Sequence, residues 1–164
     1  MTKQEQEAIY HQWILEYKPL LFKVLRTYTN TRADENDLFQ EIVIQVWQSI
    51  RGFKKQSSVH TWIYRVSLNT AIKWSGRNKN KEYQEIRETT SVIVPQNPSN
   101  EKLDWLYSEI QQLNTIEKSL TLLLLDGFSY QEMSEILGIS VSNVGVKINR
   151  IKKRLKERSK LIYQ

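Results

Sequence analysis

The chain has 164 residues, of which 40% are apolar and 26% charged, and a formal net charge of +6. This composition is typical of a globular protein with one domain or two small ones, and the positive charge favours a polyanionic partner such as nucleic acid. Cysteine is absent, which excludes disulfide bonds and thiolate metal sites and is compatible with a reducing compartment.

Two segments bear on where the protein is found. The N-terminal sequence MTKQEQEAIYHQW contains acidic residues where a secretory signal would need an apolar stretch. The longest near-continuous apolar run, LTLLLL at residues 120–125, is far too short to cross a bilayer. We therefore expect a soluble, cytoplasmic protein.

The first part of the chain is predicted to be helical. Apolar residues from Tyr10 to Thr29 recur at helical spacing, and Pro19 is suited to the first turn of a second helix. In the segment DENDLFQEIVIQVWQSI, Asp34 is suited to capping a third helix. Residues 33–50 contain four acidic residues and no basic ones. The apolar positions of this helix recur every four residues, at Leu38, Ile42, Val46 and Ile50.

The next segment has the opposite charge. Residues 51–81 contain eight Lys or Arg, no Asp or Glu, and four interleaved aromatic residues. After the polar loop FKKQSS, Ser57 or Ser58 is suited to capping a helix. At about 100° per residue, this helix has an exposed face with Trp62, Arg65, Asn69 and Lys73 and a core-facing side with Tyr64, Leu68, Ala71 and Ile72.

An aromatic plane, two cations and an amide on one face are suited to stacking on unpaired bases, holding phosphates and reading a base edge. The alternative is structural: tryptophans at helical spacing commonly belong to the core, and a basic helix face is commonly just solvated. The absence of acidic residues over the whole segment favours nucleic-acid contact.

The stretch ETTSVIVPQNPSN has no helical periodicity and contains two of the three prolines. We therefore predict an N-terminal domain at 1–81, a flexible linker at 82–103 and a C-terminal domain at 104–164. No alternating strand pattern is present, so the predicted fold class is all-α.

The C-terminal domain contains a helix-turn-helix pattern in GFSYQEMSEILGISVSNVGVKINRIKKRL, residues 127–155. Ser129 and Glu132 form a capping box, Gly138 fits the turn, and Ser140 is suited to capping the second helix. Such a helix enters the DNA major groove, where Asn and Arg suit adenine and guanine edges. The alternative is a plain helical hairpin with a basic, solubilising end. The predicted exposed face consists of Ser142, Asn143, Val146, Lys147, Asn149, Arg150 and Lys153.

Together the two halves resemble bacterial RNA polymerase sigma factors of the extracytoplasmic function subfamily of the sigma-70 family. The string DENDLFQEIVIQVWQSIRGFKKQSSVHTWIYRVSLN is similar to their second conserved region, and DGFSYQEMSEILGIS with the basic helix after it is similar to their fourth. The sequence departs from the family pattern at two positions. Gly145 occupies a position that usually carries a basic residue, and Ser67 replaces an alanine.

The resemblance implies that the chain binds core RNA polymerase and makes it promoter-specific. It implies polymerase contacts to the β′ clamp helices through Asp37, Leu38, Gln40, Glu41 and Trp47, and a further contact to the β flap. It implies capture of a flipped minus-ten base through Phe53, Lys54, Lys55, Ser58, Trp62, Arg65, Asn69 and Lys73. The exposed face of the helix after Ser140 would then read the minus-thirty-five element as duplex DNA.

The resemblance also implies an anti-sigma partner, a monomeric free chain, and no cofactor, metal or small-molecule substrate. Two other functions are open. An enzyme is disfavoured because His11 and His60 lie apart from the acidic pair Asp37 and Glu41, so no metal or acid–base site is complete. A stand-alone helix-turn-helix regulator would explain residues 127–155 and leave the basic segment 51–81 without a purpose.

Overall fold

The computed structural model describes the backbone of residues 1–85 and 100–162 and the side chains of 1–77 and 100–162. The chain divides into two compact units, Met1–Gln96 and Asn97–Gln164. All regular structure in the described residues is helical, so the predicted all-α fold class is confirmed.

Up to Glu85, where its described residues end, the N-terminal unit contains four α-helices and a short 3₁₀ turn at Ile50–Gly52. Thr2 opens the first helix with a capping box, in which its hydroxyl accepts from the Glu5 N–H and its own N–H donates to the Glu5 carboxylate. The helices are α1 (Lys3–Glu16), α2 (Lys18–Tyr28), α3 (Arg32–Ser49) and α4 (Val59–Glu85).

The local signals for helix starts are confirmed with one exception. Pro19 lies in the first turn of α2, and the Ser58 hydroxyl accepts from the Thr61 N–H at 3.1 Å where α4 begins. Asp34 is not the cap of α3: the helix begins at Arg32, and the Thr31 hydroxyl accepts from the Asp34 N–H at 3.1 Å. Asp34 instead lies in the first turn, where its charge favours the positive end of the helix dipole.

The core of this unit is formed where α3 packs on α4 and both contact α2. Leu38, Ile42 and Val46 of α3 are fully buried, as the four-residue spacing predicted. On α4, Tyr64, Leu68 and Ala71 are also fully buried, whereas Ile72 is half-buried. These two apolar stripes fix the rotation of α3 against α4 and so determine which polar residues of the two helices face each other.

The C-terminal unit contains α5 (Glu101–Gln111), α6 (Thr115–Leu125), α7 (Tyr130–Leu137) and α8 (Val141–Ile162). The predicted helix-turn-helix is confirmed: Ser129 and Glu132 form a capping box at α7, and Gly138 ends it at φ +70°. The Ser140 hydroxyl accepts from the Asn143 N–H at 3.1 Å and caps α8. Val144, Ile148 and Ile151 form the buried stripe of α8.

Both flanking helices extend into the span predicted as a linker. The backbone of α4 continues to Glu85, and α5 begins at Glu101. The rest of the predicted linker lies outside the described residues, and the domain boundaries stay a prediction. None of the helices in the described ranges has the length and apolar content that crossing a membrane requires.

Candidate nucleic-acid and polymerase interfaces

A pocket lies between α3 and α4, with a volume of about 610 Å³. Its walls are two rows of residues spaced four apart, which places each row on one helix face. The α3 row consists of Glu41, Gln45 and Ser49, and the α4 row of Asn69, Lys73 and Arg77, with Val66, Thr70 and Gly76 completing the lining.

The two ends of this pocket differ chemically. At one end Arg77 donates to the Glu41 carboxylate in an ion pair between the two helices. At the other end the Trp62 indole N–H donates to the Ser49 hydroxyl at 3.4 Å. Within the described residues, the Gln45, Asn69 and Lys73 side chains between these ends have no hydrogen-bonding partner. The pocket therefore offers two amides and a cation to an incoming group.

An aromatic cluster adjoins the Ser49 end of the pocket. The centroid of the Phe53 ring lies 5.4 Å from the ring centroids of both Trp13 and Trp62. The Phe53 ring is edge-on to Trp13 and tilted to Trp62. Phe53 and Trp62 are consequently half-buried. The prediction of Trp62 as an open stacking plane was wrong in this respect, because the Phe53 ring of the loop covers part of its ring. Its indole N–H reaches Ser49, which belongs to the pocket lining.

The loop between Phe53 and Ser58 brings two exposed lysines next to this cluster. Lys55 has a φ of +57°, a conformation that non-glycine residues rarely adopt, and it turns the loop sharply. Arg65 and Lys73 on α4 are also exposed. Lys54, Lys55, Arg65 and Lys73 therefore remain available to hold phosphates.

Two other cations of the basic segment have structural partners. The Arg51 side chain donates to the Gln6 side-chain carbonyl at 2.8 Å and to the Met1 backbone carbonyl at 3.1 Å. Gln6 in turn donates to the Trp47 carbonyl at 2.8 Å, which joins α1 to the end of α3. Arg77 pairs with Glu41 as described above. The basic residues of the segment 51–81 therefore include some that stabilise the packing of the helices and others that form an exposed cationic surface.

The residues predicted to contact polymerase are separated by the structure into two groups. Asp37 and Gln40 are exposed on α3 and Glu41 is half-buried, and the Asp37 carboxylate accepts from the buried Trp74 indole N–H at 2.9 Å. Leu38 was wrongly included, because it is fully buried in the core. Trp47 is half-buried, with its ring edge-on to Tyr10 at 5.6 Å.

Both histidines pack against aromatic rings. His11 contacts Tyr10 edge-on, and the His60 ring lies 6.0 Å from Tyr17 and 5.3 Å from Tyr64. Partial burial raises the pKa of Tyr17 above its ordinary value, with Glu16 adding to the effect. Among the residues whose side chains are described, no group of three or more His, Asp or Glu could hold a metal ion.

In the C-terminal unit, α8 presents the predicted polar face to solvent. The face lies opposite the buried stripe, and only Lys147 is half-buried within it. Gly145 flanks this face, where a Cβ atom would lie 3.7 Å from the Tyr130 ring. The exposed members are Ser142, Asn143, Val146, Asn149, Arg150 and Lys153.

Each of the two units matches a known protein family. Residues 13–81 match the family described as Sigma-70 region 2, and residues 103–155 match Sigma-70, region 4. The chain is a sigma factor of the sigma-70 family. It directs promoter-specific transcription initiation, and the presence of region 2 disfavours the alternative of a stand-alone helix-turn-helix regulator. This family is not one of catalytic enzymes.

Curated relatives match over nearly the whole sigma factor. It is 28% identical over 159 residues to the RNA polymerase sigma factor YlaC of Bacillus subtilis, which covers 92% of this chain and 90% of the relative. It is 26% identical over 172 residues to the ECF RNA polymerase sigma-E factor of Haemophilus influenzae, covering 96% and 90%. The predicted subfamily and function are therefore confirmed.

Solved structures show the same fold. The sigma factor RpoE of Bartonella quintana, solved in complex with the anti-sigma factor NepR, matches with a TM-score of 0.73 at 19% identity, covering 94% of this chain and 98% of that one. CnrH, solved in complex with the cytosolic domain of CnrY, matches with a TM-score of 0.65 at 18% identity, covering 95% and 90%.

Sequence reasoning identified Asn69 and Lys73 in the pocket but missed Gln45 and Ser49 opposite them. The available signal was the polar row Glu41, Gln45 and Ser49, which is spaced four apart and flanks the buried stripe of α3. That row indicates a polar face, but its pairing with the α4 row depends on the packing of the two helices.

Proposed function

We propose that the pocket between α3 and α4 receives a base flipped out of the minus-ten element. The supporting observation is the set of unpaired amides and the lysine, Gln45, Asn69 and Lys73, in a pocket of about 610 Å³. That volume lies within the range of about 300–1,000 Å³ found for small-molecule sites. Amides can read a base edge while Lys73 holds the adjacent phosphate.

The energetic balance supports this role. Flipping a base costs a few kcal/mol, and stacking on an aromatic ring returns about 1–3 kcal/mol per base. The exposed part of Trp62 next to Phe53 provides that stacking surface, and hydrogen bonds inside the pocket add to it. Lys54, Lys55 and Arg65 lie where they would hold the displaced strand, while Ser58 acts as the helix cap.

We propose that core RNA polymerase binds the exposed side of α3 through Asp37, Gln40 and Glu41, which would meet the β′ clamp helices, with Trp47 supporting the helix from α1. The C-terminal unit would contact the β flap and use α8 to read the minus-thirty-five element. The neighbours solved with NepR and CnrY support an anti-sigma partner for this chain as well. The free chain would be a monomer in the cytoplasm, without enzymatic activity, cofactor or small-molecule substrate.

The test is run-off transcription with bacterial core polymerase, the purified chain and a pool of genomic promoter fragments. Transcripts that require the chain would provide promoters with aligned start sites. On one such promoter, Asn69→Ala should change the preference at a single minus-ten base in a randomised element and leave polymerase binding intact. Asn36→Ala, an exposed amide at the start of α3 outside the pocket, is the control. An unchanged base preference with Asn69→Ala would contradict the pocket assignment.

A further inference from the structure

Val146 lies at the centre of the exposed face of α8. At about 100° per residue, it points away from the buried stripe formed by Val144, Ile148 and Ile151. Its side chain is 48% exposed. An apolar side chain in this position contributes nothing to the core of the unit and is available to contact a partner at the surface.

The residues around Val146 are polar on every side of the face. Those within about 60° of it around the helix axis and within two turns along the helix are Ser142, Asn143, Asn149, Arg150 and Lys153, all exposed. On one flank Gly145 has no side chain that could cover the valine, and the Tyr130 ring occupies the space beside that glycine, 3.7 Å from where a Cβ atom would lie. The isopropyl group is therefore the most accessible apolar point of this surface.

We propose that Val146 is a specificity-determining residue that packs against the 5-methyl group of a thymine in the minus-thirty-five element. This inference rests on the proposed function, in which α8 enters the major groove. Thymine alone among the four bases presents a methyl group there, and the valine has no group that could satisfy a polar base edge. The surrounding amides and cations suit the neighbouring base edges and phosphates, which identifies duplex DNA as the occupant of this face.

The test removes the methyl group without altering any hydrogen-bonding group of the base. Each thymine of the upstream element, on either strand of a promoter found with the holoenzyme, is replaced by deoxyuridine, and open-complex formation is measured. Replacement at one position should reduce open-complex formation about fourfold. Burying one such group contributes about 0.8 kcal/mol, and 1.4 kcal/mol corresponds to a factor of ten.

The variant Val146→Ala should remove the sensitivity to deoxyuridine at that position. The matched control is Val141→Ala on the same helix, because Val141 is 41% exposed but lies about 140° away from Val146 around the helix axis. It should retain the sensitivity. Since both valines are exposed, circular dichroism should show that both variants fold.

Two outcomes overturn the inference while leaving the proposed function intact. One is an upstream element whose sequence matters but whose thymine methyl groups do not. The other is equal loss of methyl sensitivity in both valine variants. If randomising the whole upstream element had no effect on open-complex formation, the role proposed for α8 would fail, and the inference with it.

Discussion

The indole N–H of Trp74 on α4 donates to the carboxylate of Asp37 on α3 at 2.9 Å. Trp74 is only 2% exposed, whereas Asp37 is exposed on the helix proposed to bind polymerase. One carboxylate therefore has two roles: it satisfies a buried donor of its own chain and carries charge on a proposed interface. Substitutions of Asp37 that abolish transcription have to be separated into these two effects.

We predict that Asp37→Ala lowers the free energy of unfolding of the N-terminal unit by about 1 kcal/mol, because the buried indole N–H loses its acceptor. Asp37→Asn should cost less, because the side-chain carbonyl still accepts while the charge is gone. Denaturant unfolding followed by polymerase binding separates the effects. In a Trp74→Phe background, Asp37→Ala should have little further effect on stability; a full additional loss would show that the hydrogen bond is not the cause.

We predict that Ser67→Ala stabilises the N-terminal unit by about 1 kcal/mol. The Ser67 hydroxyl is buried and, within the described residues, has no hydrogen-bonding partner, and a buried unsatisfied polar group is costly. Thermal and denaturant unfolding provide the measurement. The contrasting variant is Thr70→Ala on the same helix, whose hydroxyl donates to the Val66 carbonyl at 2.7 Å. It should destabilise, and the same sign for both variants would argue against the explanation.

Two glycines of the helix-turn-helix should respond in opposite directions to alanine. Gly145→Ala should stabilise by about 1 kcal/mol, because alanine is the better helix former and its Cβ would lie in ordinary contact with Tyr130 at 3.7 Å. Gly138→Ala should destabilise by about 1 kcal/mol, because Gly138 has a φ of +70°. Unfolding curves of the full chain test both, and a destabilising Gly145→Ala would show that the Tyr130 ring cannot accommodate a methyl group.

The capping box of α7 predicts a dependence on acid. The hydrogen bond from the Ser129 backbone N–H, with a smaller effect of its hydroxyl, holds the pKa of Glu132 below its ordinary value, which is about 4.3. Because the folded-state pKa is the lower one, the stabilisation is fully present above the unfolded value and is lost as the pH falls through the folded value. The difference in stability between the wild type and Glu132→Gln should therefore shrink below about pH 4.

Urea unfolding of both proteins at neutral pH and at about pH 3 measures this difference. Glu135→Gln, on the same helix but outside the cap, controls for the loss of one negative charge. Ser129→Ala should destabilise by about 1 kcal/mol through loss of the cap. A wild-type advantage over Glu132→Gln that is equally large in acid would contradict the proposed cause.

The presence of the helices and several of their caps could be predicted from the sequence, because the signals for them are local. Pro19, Ser58, the Ser129–Glu132 pair and Ser140 act within one helical turn of their own positions, and tertiary packing has little influence on them. The exception is the N-cap of α3, which is Thr31 and not the predicted Asp34. Both residue types are suited to capping a helix, and the sequence alone does not decide between them.

Two features could not be predicted in the same way: the pocket, and which basic residues have partners within the chain. Gln45 and Asn69 line the same pocket only because the apolar stripes of α3 and α4 pack in one particular rotation, which is a tertiary property. Likewise Arg51 meets Gln6 across more than forty positions of sequence, so its charge was counted as surface. The buried position of Leu38 had a visible signal, since it begins the apolar stripe of α3, but the resemblance to a family motif outweighed it.

Trp62 sits at the end of the proposed base pocket with its indole N–H directed to Ser49 and part of its ring against Phe53. An indole whose surroundings are half protein and half water changes its fluorescence when either part is replaced. The sigma factor thus carries its own optical reporter of strand capture. With the other four tryptophans replaced by phenylalanine, the emission of Trp62 would follow promoter melting in real time without an attached dye.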